Sequence, residues 1–347
     1  MKREPNTTPT LEDRIIGCFL GGAVGDALGE PVEYLSASER EARWGPQGVR
    51  TYVHEGWGRF TDDTQMALFT AEALILHAQN PHTTQAAPLL VSLHKAYLRW
   101  LRTQEMPSRI PESVFREEGF LLDEVSLYQR MGPGRTCITA LAQASQLALP
   151  AFNNSKGCGG LMRVAPIGCW AALAPAGWNA LETLQIASAA AQLTHGHPCG
   201  YLSAGAFAVI LRALCLGRSM VDAVLQAGHL LSDLGETGQA TFNALELAQR
   251  LAAKGTSWKE AVPMMGEGWV AEEILAIVAF LGLTGENFED SILLAANHPG
   301  DADSVGAIAG NLLGALWGMR RIPPMWIKQL EAVEVVQRVI TPFLRME

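Results

Sequence analysis

The 347-residue chain is poor in charged residues, and its balance is negative. Asp, Glu, Lys and Arg make up 18% of the residues, against about 25% in an average soluble domain. The formal net charge is −9, and no dense basic block occurs anywhere in the chain. Proteins that bind a polyanionic backbone carry clustered Lys and Arg. The sequence therefore argues against a nucleic-acid partner.

Long uninterrupted apolar runs are also missing. The longest apolar stretches, 203–216 and 274–283, are shorter than the roughly 20 residues that cross a bilayer, and Arg212 interrupts the first. The N-terminal sequence MKREPNTTPT lacks the apolar segment of a secretory signal peptide. We expect no membrane association.

Cysteine is scarce and unpatterned. The 6 cysteines form no Cys-x-x-Cys pair and lie mostly in apolar or glycine-rich surroundings. Structural zinc sites use such pairs, and disulfide frameworks are typical of short secreted chains. We interpret the cysteines as reduced thiols, which predicts a cytoplasmic protein.

The patterns that are present indicate helices. Apolar residues recur at spacings of three and four, as in Ile15, Ile16, Phe19 and Leu20. Alternating patterns are rare, and the nearest strand signal, residues 49–53, is short. No segment is biased enough to be an interdomain linker. The sequence predicts an all-α fold, with a disordered N-terminus over 1–10 and a single domain over 11–347.

Glycine is abundant, with 34 residues, and part of it is regularly spaced. Each glycine within a helix costs about 0.5–1 kcal/mol relative to Ala. Contact with another helix or with a ligand must offset that cost, so we expect a tightly crossed helical bundle. Two rows with a spacing of four are present: Gly17, Gly21, Gly25, Gly29 and Gly306, Gly310, Gly314, Gly318.

Two short segments concentrate acids beside hydroxyls at the start of helical patterns. Helix capping explains each segment alone, because Thr, Ser and Asp are preferred N-caps and acids favour the first turn. Together they hold more acid than caps require, and hard divalent cations bind carboxylate and hydroxyl oxygens. Helix N-termini are expected to keep these acids ionised by lowering their pKa values. We hypothesise a two-metal site formed by Thr61, Asp62, Asp63, Asp301, Asp303 and Ser304.

Five segments resemble the motifs of the ADP-ribosylglycohydrolase family, in the family's order: 17–35, 58–74, 157–168, 194–198 and 298–318. The resemblance implies a compact, orthogonally packed all-α bundle with two Mg²⁺ or Mn²⁺ ions at the bottom of a cleft. It also implies hydrolysis of the N- or O-glycosidic bond between ADP-ribose and an acceptor side chain.

Position by position, the resemblance assigns the six residues of the two acidic segments as metal ligands. The family more often has Thr where Ser304 stands, and Ser keeps the hydroxyl oxygen. Glu33 matches an acidic residue on a mobile loop near the metals and the scissile bond. Without the resemblance, Glu33 would be read as a surface carboxylate after a proline turn. The expected catalytic residues are Glu33, Asp62 and Asp303.

Gly157, Cys158, Gly159 and Gly160 match the family's glycine loop, where phosphate and ribose approach backbone N–H groups. Glycine suits such a loop because it lacks a Cβ and tolerates positive φ. The family commonly has Asn in place of Cys158, and no His–Cys spacing supports Cys158 as a nucleophile.

Three further polar residues lie near these motifs. His195 matches the family's histidine beside the substrate, whereas a His-x-His metal pair with His197 suits an oxygen-rich site less well. We interpret Arg163 as part of a buried ion pair, with a phosphate clamp as the alternative.

The implied activity is metal-dependent removal of ADP-ribose from a modified protein, with the N-glycosidic bond of ADP-ribosyl-arginine as the first candidate. Two metals would activate a water, and Glu33 or a liganding aspartate would take its proton. The alternatives are another linkage (O-linked serine, O-acetyl-ADP-ribose or a nucleic-acid base) and a non-catalytic, crystallin-like ADP-ribose binder. The motifs bind ADP-ribose, which all of these substrates have in common, and so they do not distinguish the linkages.

Overall fold

The computed structural model describes residues 8–79, 86–173 and 178–346. Within these ranges the secondary structure consists of α-helices, short 3-10 turns and isolated bridges, without a β-strand. This confirms the all-α prediction. The helices are α1 Leu11–Gly29, α2 Ala37–Trp44, α3 Asp62–Ala78, α4 Ala86–Thr103, α5 Arg135–Gln143, α6 Ala165–Leu173, α7 Ala180–Gln192, α8 Pro198–Cys215, α9 Met220–Ser232, α10 Glu236–Ala253, α11 Trp258–Met265, α12 Ala271–Thr284, α13 Phe288–Ala296, α14 Ala302–Trp317, α15 Pro324–Lys328 and α16 Val333–Phe343.

The two rows of glycine pack against each other. A Cβ built on Gly17 would overlap the carbonyl oxygen of Gly314, and one built on Gly25 would overlap that of Gly306. The pairing runs in opposite directions along the two helices, so α1 and α14 are antiparallel and their backbones touch. This confirms the prediction of close helix packing. It also places the end of α1 beside the start of α14, where Gly29 faces Ala302.

The segment 49–53, which carries the nearest strand signal in the sequence, is irregular and forms no strand. The N–H of Val49 donates to Asn297 Oδ1, and Asn297 Nδ2 donates to the carbonyl of Val49, both at 2.8 Å. The side-chain amide of Asn297 therefore makes the backbone hydrogen bonds that a neighbouring strand would otherwise make.

The N-cap residue of α1 falls within the N-terminus, residues 1–10, that is expected to be disordered. Thr10 caps α1, with its side chain accepting from the N–H of Asp13 at 3.1 Å. Residues 1–7 of that expected segment lie outside the described residues.

Helix α8 is long and apolar enough to cross a membrane by length and composition, which the shorter apolar run seen in the sequence did not indicate. Its apolar window is 83% buried inside the fold. Core helices pass the same test, and α8 packs among its neighbours in this way.

Candidate active site

Three helix ends meet at one side of the fold. The antiparallel contact of α1 and α14 brings the end of α1, and Glu33 in the turn that follows it, next to the first turn of α14. The start of α3 joins them through Asp26 in the last turns of α1. Backbone packing thus brings together acids that are far apart in sequence.

Asp26 ties α1 to the start of α3. Its carboxylate accepts the N–H of Thr61 at 3.0 Å, the N–H of Thr64 at 3.1 Å and the hydroxyl of Thr64 at 2.5 Å. The side chain is fully buried and acts as a helix cap supplied by another helix. Sequence reasoning missed Asp26, although a lone acid in the apolar, glycine-rich pattern of α1 was a signal for a buried role.

The first acidic segment forms the start of α3, as predicted. Thr61 is the N-cap residue, and its hydroxyl accepts from the N–H of Asp63 at 3.4 Å. Asp62 Oδ2 accepts from the N–H of Gly134 at 3.0 Å. Asp63 is 2% exposed, and its Oδ1 has no hydrogen-bond partner within the described part of the chain.

The second segment forms the start of α14. Asp301 occupies the N-cap position without a side-chain cap bond, which leaves its carboxylate free of a capping role. Asp303 Oδ1 accepts from the N–H of Ser304 at 2.8 Å. Glu33, Asp301 and Asp303 each offer a carboxylate oxygen, and these oxygens lie within 4.8 Å of one another.

Burial and mutual repulsion dominate the electrostatics of this cluster. Burial raises the pKa of Asp62, Asp63 and Asp301 well above the usual range, and the charge of Asp303 adds to each. Burial, followed by Asp303, raises the pKa of Glu33 and that of Asp26 to about 8. The expectation that helix N-termini would lower these pKa values is wrong for the protein without cations, because desolvation outweighs the helix dipole.

The cluster fits hard divalent cations. None of the ion pairs formed by the described side chains includes one of its carboxylates, so no Lys or Arg neutralises it. The unpartnered Oδ1 of Asp63 is a buried acceptor without a donor. Carboxylate and hydroxyl oxygens are the ligands that Mg²⁺ and Mn²⁺ prefer, and a nearby cation would lower the raised pKa values.

Glu33 is the partly exposed member of the cluster. The hydroxyl of Tyr34 hydrogen-bonds to its carboxylate. Tyr34 adopts a positive φ of 63°, which is uncommon for a residue with a side chain, and its ring stacks on Trp269 with centroids 5.8 Å apart. The stack holds the Glu33 turn against the loop that precedes α12.

The glycine loop lies against the start of α14, where Ser304 Oγ is 3.5 Å from Cys158 Sγ. Gly157 and Cys158 are partly exposed, whereas Gly159 and Gly160 are buried. None of these residues has a positive φ, so the conformational reason given for the glycines is wrong. Packing requires the two buried glycines instead: a Cβ on Gly159 would lie 2.7 Å from Cys137 Sγ and 3.0 Å from His195 Cε1, and one on Gly160 would lie 3.0 Å from Ala191 Cβ.

His195 lies behind the glycine loop and is 1% exposed. Its Nδ1 is 2.8 Å from the hydroxyl of Thr194. Burial, with a contribution from the charge of Arg163, lowers its pKa to about 3, so the ring is neutral. The structure thus places His195 as a support of the loop. His197 serves as the N-cap of α8 and accepts from the N–H of Cys199 at 3.1 Å.

Arg163 is fully buried, as expected, but the predicted ion pair is wrong. Its guanidinium donates to the carbonyl of Ala190 at 2.9 Å and to the hydroxyl of Thr194 at 2.8 Å, and it lies 4.2 Å from the centroid of the Tyr97 ring. No described carboxylate pairs with it, and it faces the core instead of a ligand.

A cleft of about 450 Å³ adjoins the glycine loop through Ser155. Its walls come from α5 and from the segment that leads into the loop, and Phe152 is fully exposed at its edge. The polar lining includes Thr136, Gln143, Asn153 and Ser155.

The chain belongs to the ADP-ribosylglycohydrolase family, whose model matches residues 7–345. A solved structure described as an ADP-ribosylglycohydrolase-related protein complex superposes with a TM-score of 0.64 at 27% identity, covering 97% of this chain and 98% of that one. This likeness confirms the family type of helical bundle.

Curated relatives agree with the family. The ADP-ribosyl-(dinitrogen reductase) glycohydrolase of Rhodospirillum rubrum is 29% identical over 94% of this chain and 92% of that protein. The ADP-ribosylarginine hydrolase Tri1 of Pseudomonas putida is 24% identical over 94% of this chain and 76% of that protein. The chain is a hydrolase of this family, acting on ADP-ribosyl linkages.

Proposed function

We propose that the chain hydrolyses the N-glycosidic bond of ADP-ribosyl-arginine on a modified protein, releases ADP-ribose, and requires two Mg²⁺ or Mn²⁺ ions. The observation that carries the proposal is the meeting of three acidic helix ends beside the glycine loop and its cleft. The name of the Pseudomonas putida relative supports the arginine linkage.

The two acidic segments would hold the metals. Their carboxylates are buried, lie close together and lack basic partners, so cations relieve their repulsion. When bound, two such ions supply orientation of the substrate and a lowered pKa of the attacking water. The proposed ligands are Thr61, Asp62, Asp63, Asp301, Asp303 and Ser304.

Glu33 would move the proton. It is the partly exposed acid of the cluster, in the turn that follows α1, and its carboxylate lies within 4.8 Å of those of Asp303 and Asp301. In the reaction the bond between the ribose carbon and the guanidine nitrogen breaks, and a water oxygen bonds to that carbon. Glu33 takes the proton of the water, the protonated guanidinium leaves as a neutral guanidine, and the proton then passes from Glu33 to that guanidine.

The glycine loop and its cleft would seat the ADP-ribose half. Gly157 and Cys158 are the loop residues with exposed surface, and the cleft next to them has the size of a small-molecule site. Gly159 and Gly160, held by His195 from behind, fix the shape of the loop. The buried His195 would thus contribute to binding by holding the glycine loop in place.

A linkage panel tests this proposal. ADP-ribose release is measured from arginine-linked, serine-linked, O-acetyl and nucleotide-linked substrates, each with and without Mg²⁺. We expect release from the arginine linkage, dependent on the metal. Release from another linkage but not from arginine would overturn the proposed acceptor and leave the family reaction intact. The Asp62→Asn variant controls for a contaminating hydrolase.

A further inference from the structure

Cys158 stands among the proposed metal ligands. The hydroxyl of Ser304 donates to Cys158 Sγ at 3.5 Å, and the thiol itself hydrogen-bonds to the carboxylate of Asp301. Its sulfur is thus in contact with two of the six proposed ligand residues. Cys158 belongs to the glycine loop, so its contact with Ser304 joins that loop to the proposed metal site.

A second observation points to a cation at the same place. Asp63 is buried with its Oδ1 unpartnered, and it lies near enough to Cys158 for its charge to act on the thiol. A buried carboxylate oxygen without a donor is an acceptor that a bound cation would satisfy.

Cys158 also differs from the other cysteines in access. It is partly exposed, while Cys18, Cys137, Cys169, Cys199 and Cys215 are buried. Among these cysteines, Cys158 is thus the one that borders the acidic site and keeps some solvent exposure. The other thiols lie in the packed interior.

We propose that Cys158 supplies a sulfur donor to the metal site, so that the protein binds thiophilic divalent cations of the zinc and cadmium class more tightly than an all-oxygen site would. This inference rests on the proposed metal site. In the step the S–H bond breaks, the proton passes to solvent, and a sulfur–metal bond forms without any change of oxidation state. Thiolate ligands favour these softer cations over Mg²⁺.

Cadmium titration reads out the sulfur bond directly, because a cadmium–thiolate bond absorbs in the ultraviolet. Cd²⁺ is added to the intact protein, to Cys158→Ser and to a matched control, Cys199→Ser, with Mn²⁺ binding measured in parallel by calorimetry. We expect the absorption band in the unmodified protein and in Cys199→Ser. In Cys158→Ser the band should vanish and the Cd²⁺ affinity should fall roughly tenfold or more, while Mn²⁺ still binds.

The other outcomes separate the two proposals. Mn²⁺ binding without a band in the unmodified protein, or a band that persists in Cys158→Ser, would overturn the role of Cys158 and keep the metal site. Failure of both Mn²⁺ and Cd²⁺ to bind would overturn the metal site and, with it, this inference.

Discussion

Asp26 is a buried carboxylate whose hydrogen-bond donors all belong to another helix. Its two oxygens take two backbone N–H groups and one hydroxyl from the start of α3. Asp62 and Asp63 follow directly on that start, so Asp26 sets where their carboxylates lie. We regard it as a positioning residue, distinct from the proposed ligands.

Glu33 is the residue on which the proposed proton transfer depends. Glu33→Gln keeps the size of the side chain but cannot accept a proton, so we predict a loss of about 10² to 10⁴ in kcat. Mn²⁺ binding, measured by calorimetry, should persist because the aspartates remain. Steady-state release of ADP-ribose gives the rate.

Glu30 offers a matched control for Glu33. It lies three residues earlier in the same turn, and its carboxylate contacts His54 at 2.6 Å instead of the cluster. Glu30→Gln should keep near-normal turnover. Near-normal turnover in Glu33→Gln would instead assign the proton to one of the liganding aspartates.

At the scale of the helices, the sequence predicts the local features and misses their partners. Thr61 is recognisable as a helix start because its short polar side chain caps a free N–H group of the first turn, and Asp301 holds the same N-cap position in α14 without such a bond. The regular glycine spacing likewise indicates a close contact. The sequence does not reveal that the two glycine rows face each other in antiparallel register, since that depends on packing of the whole bundle.

The same holds for the acidic site: the sequence predicts its local features and misses how they are brought together. Its two acidic segments are visible in the sequence, but the link through Asp26 is not, because hydrogen bonds between distant helices leave no periodic pattern. The glycine loop lacks the positive φ angles that we expected of it. Its buried glycines make room for His195 and Cys137, which sequence spacing cannot show.

The contact of α1 with α14 can be tested through one glycine. In Gly25→Ala, the new methyl group meets the carbonyl oxygen of Gly306, so the helices must separate. We predict a loss of about 1–3 kcal/mol or more in the free energy of unfolding, measured with urea. Activity should fall as well, because the two ligand-bearing ends move apart.

Gly228 in α9 is the matched control. A Cβ at this helical glycine would meet the ring of Phe242 at 3.7 Å, an ordinary contact. Gly228→Ala should be neutral or stabilising by up to about 1 kcal/mol, since Ala favours helix. Equal stability of both variants would contradict the tight contact between α1 and α14.

For the molecule as a whole, the acidic cluster predicts a stability that depends on pH and metal. In the metal-free folded protein the pKa values of Asp26 and Glu33 are about 8, while in the unfolded chain they return to about 4. Raising the pH from about 6 to about 9 removes protons that the unfolded chain has already lost. The free energy of unfolding should therefore fall across this range.

Thermal melts over that pH range check whether stability falls as the pH rises. Saturating Mn²⁺ should raise the melting temperature and flatten the decrease, because the ions bind the folded state. Glu33→Gln lacks one of the two carboxyl groups with a raised pKa. In the metal-free protein its melting temperature should therefore decrease less with pH. Melting temperatures that stay constant with pH and metal would contradict the account of the cluster.

The most direct test of the central claim compares metal-stripped and metal-reloaded protein on ADP-ribosyl-arginine. The account predicts no release of ADP-ribose after chelation, recovery with Mg²⁺ or Mn²⁺, and no recovery in Asp62→Asn. Equal hydrolysis by the metal-stripped and reloaded protein would contradict it.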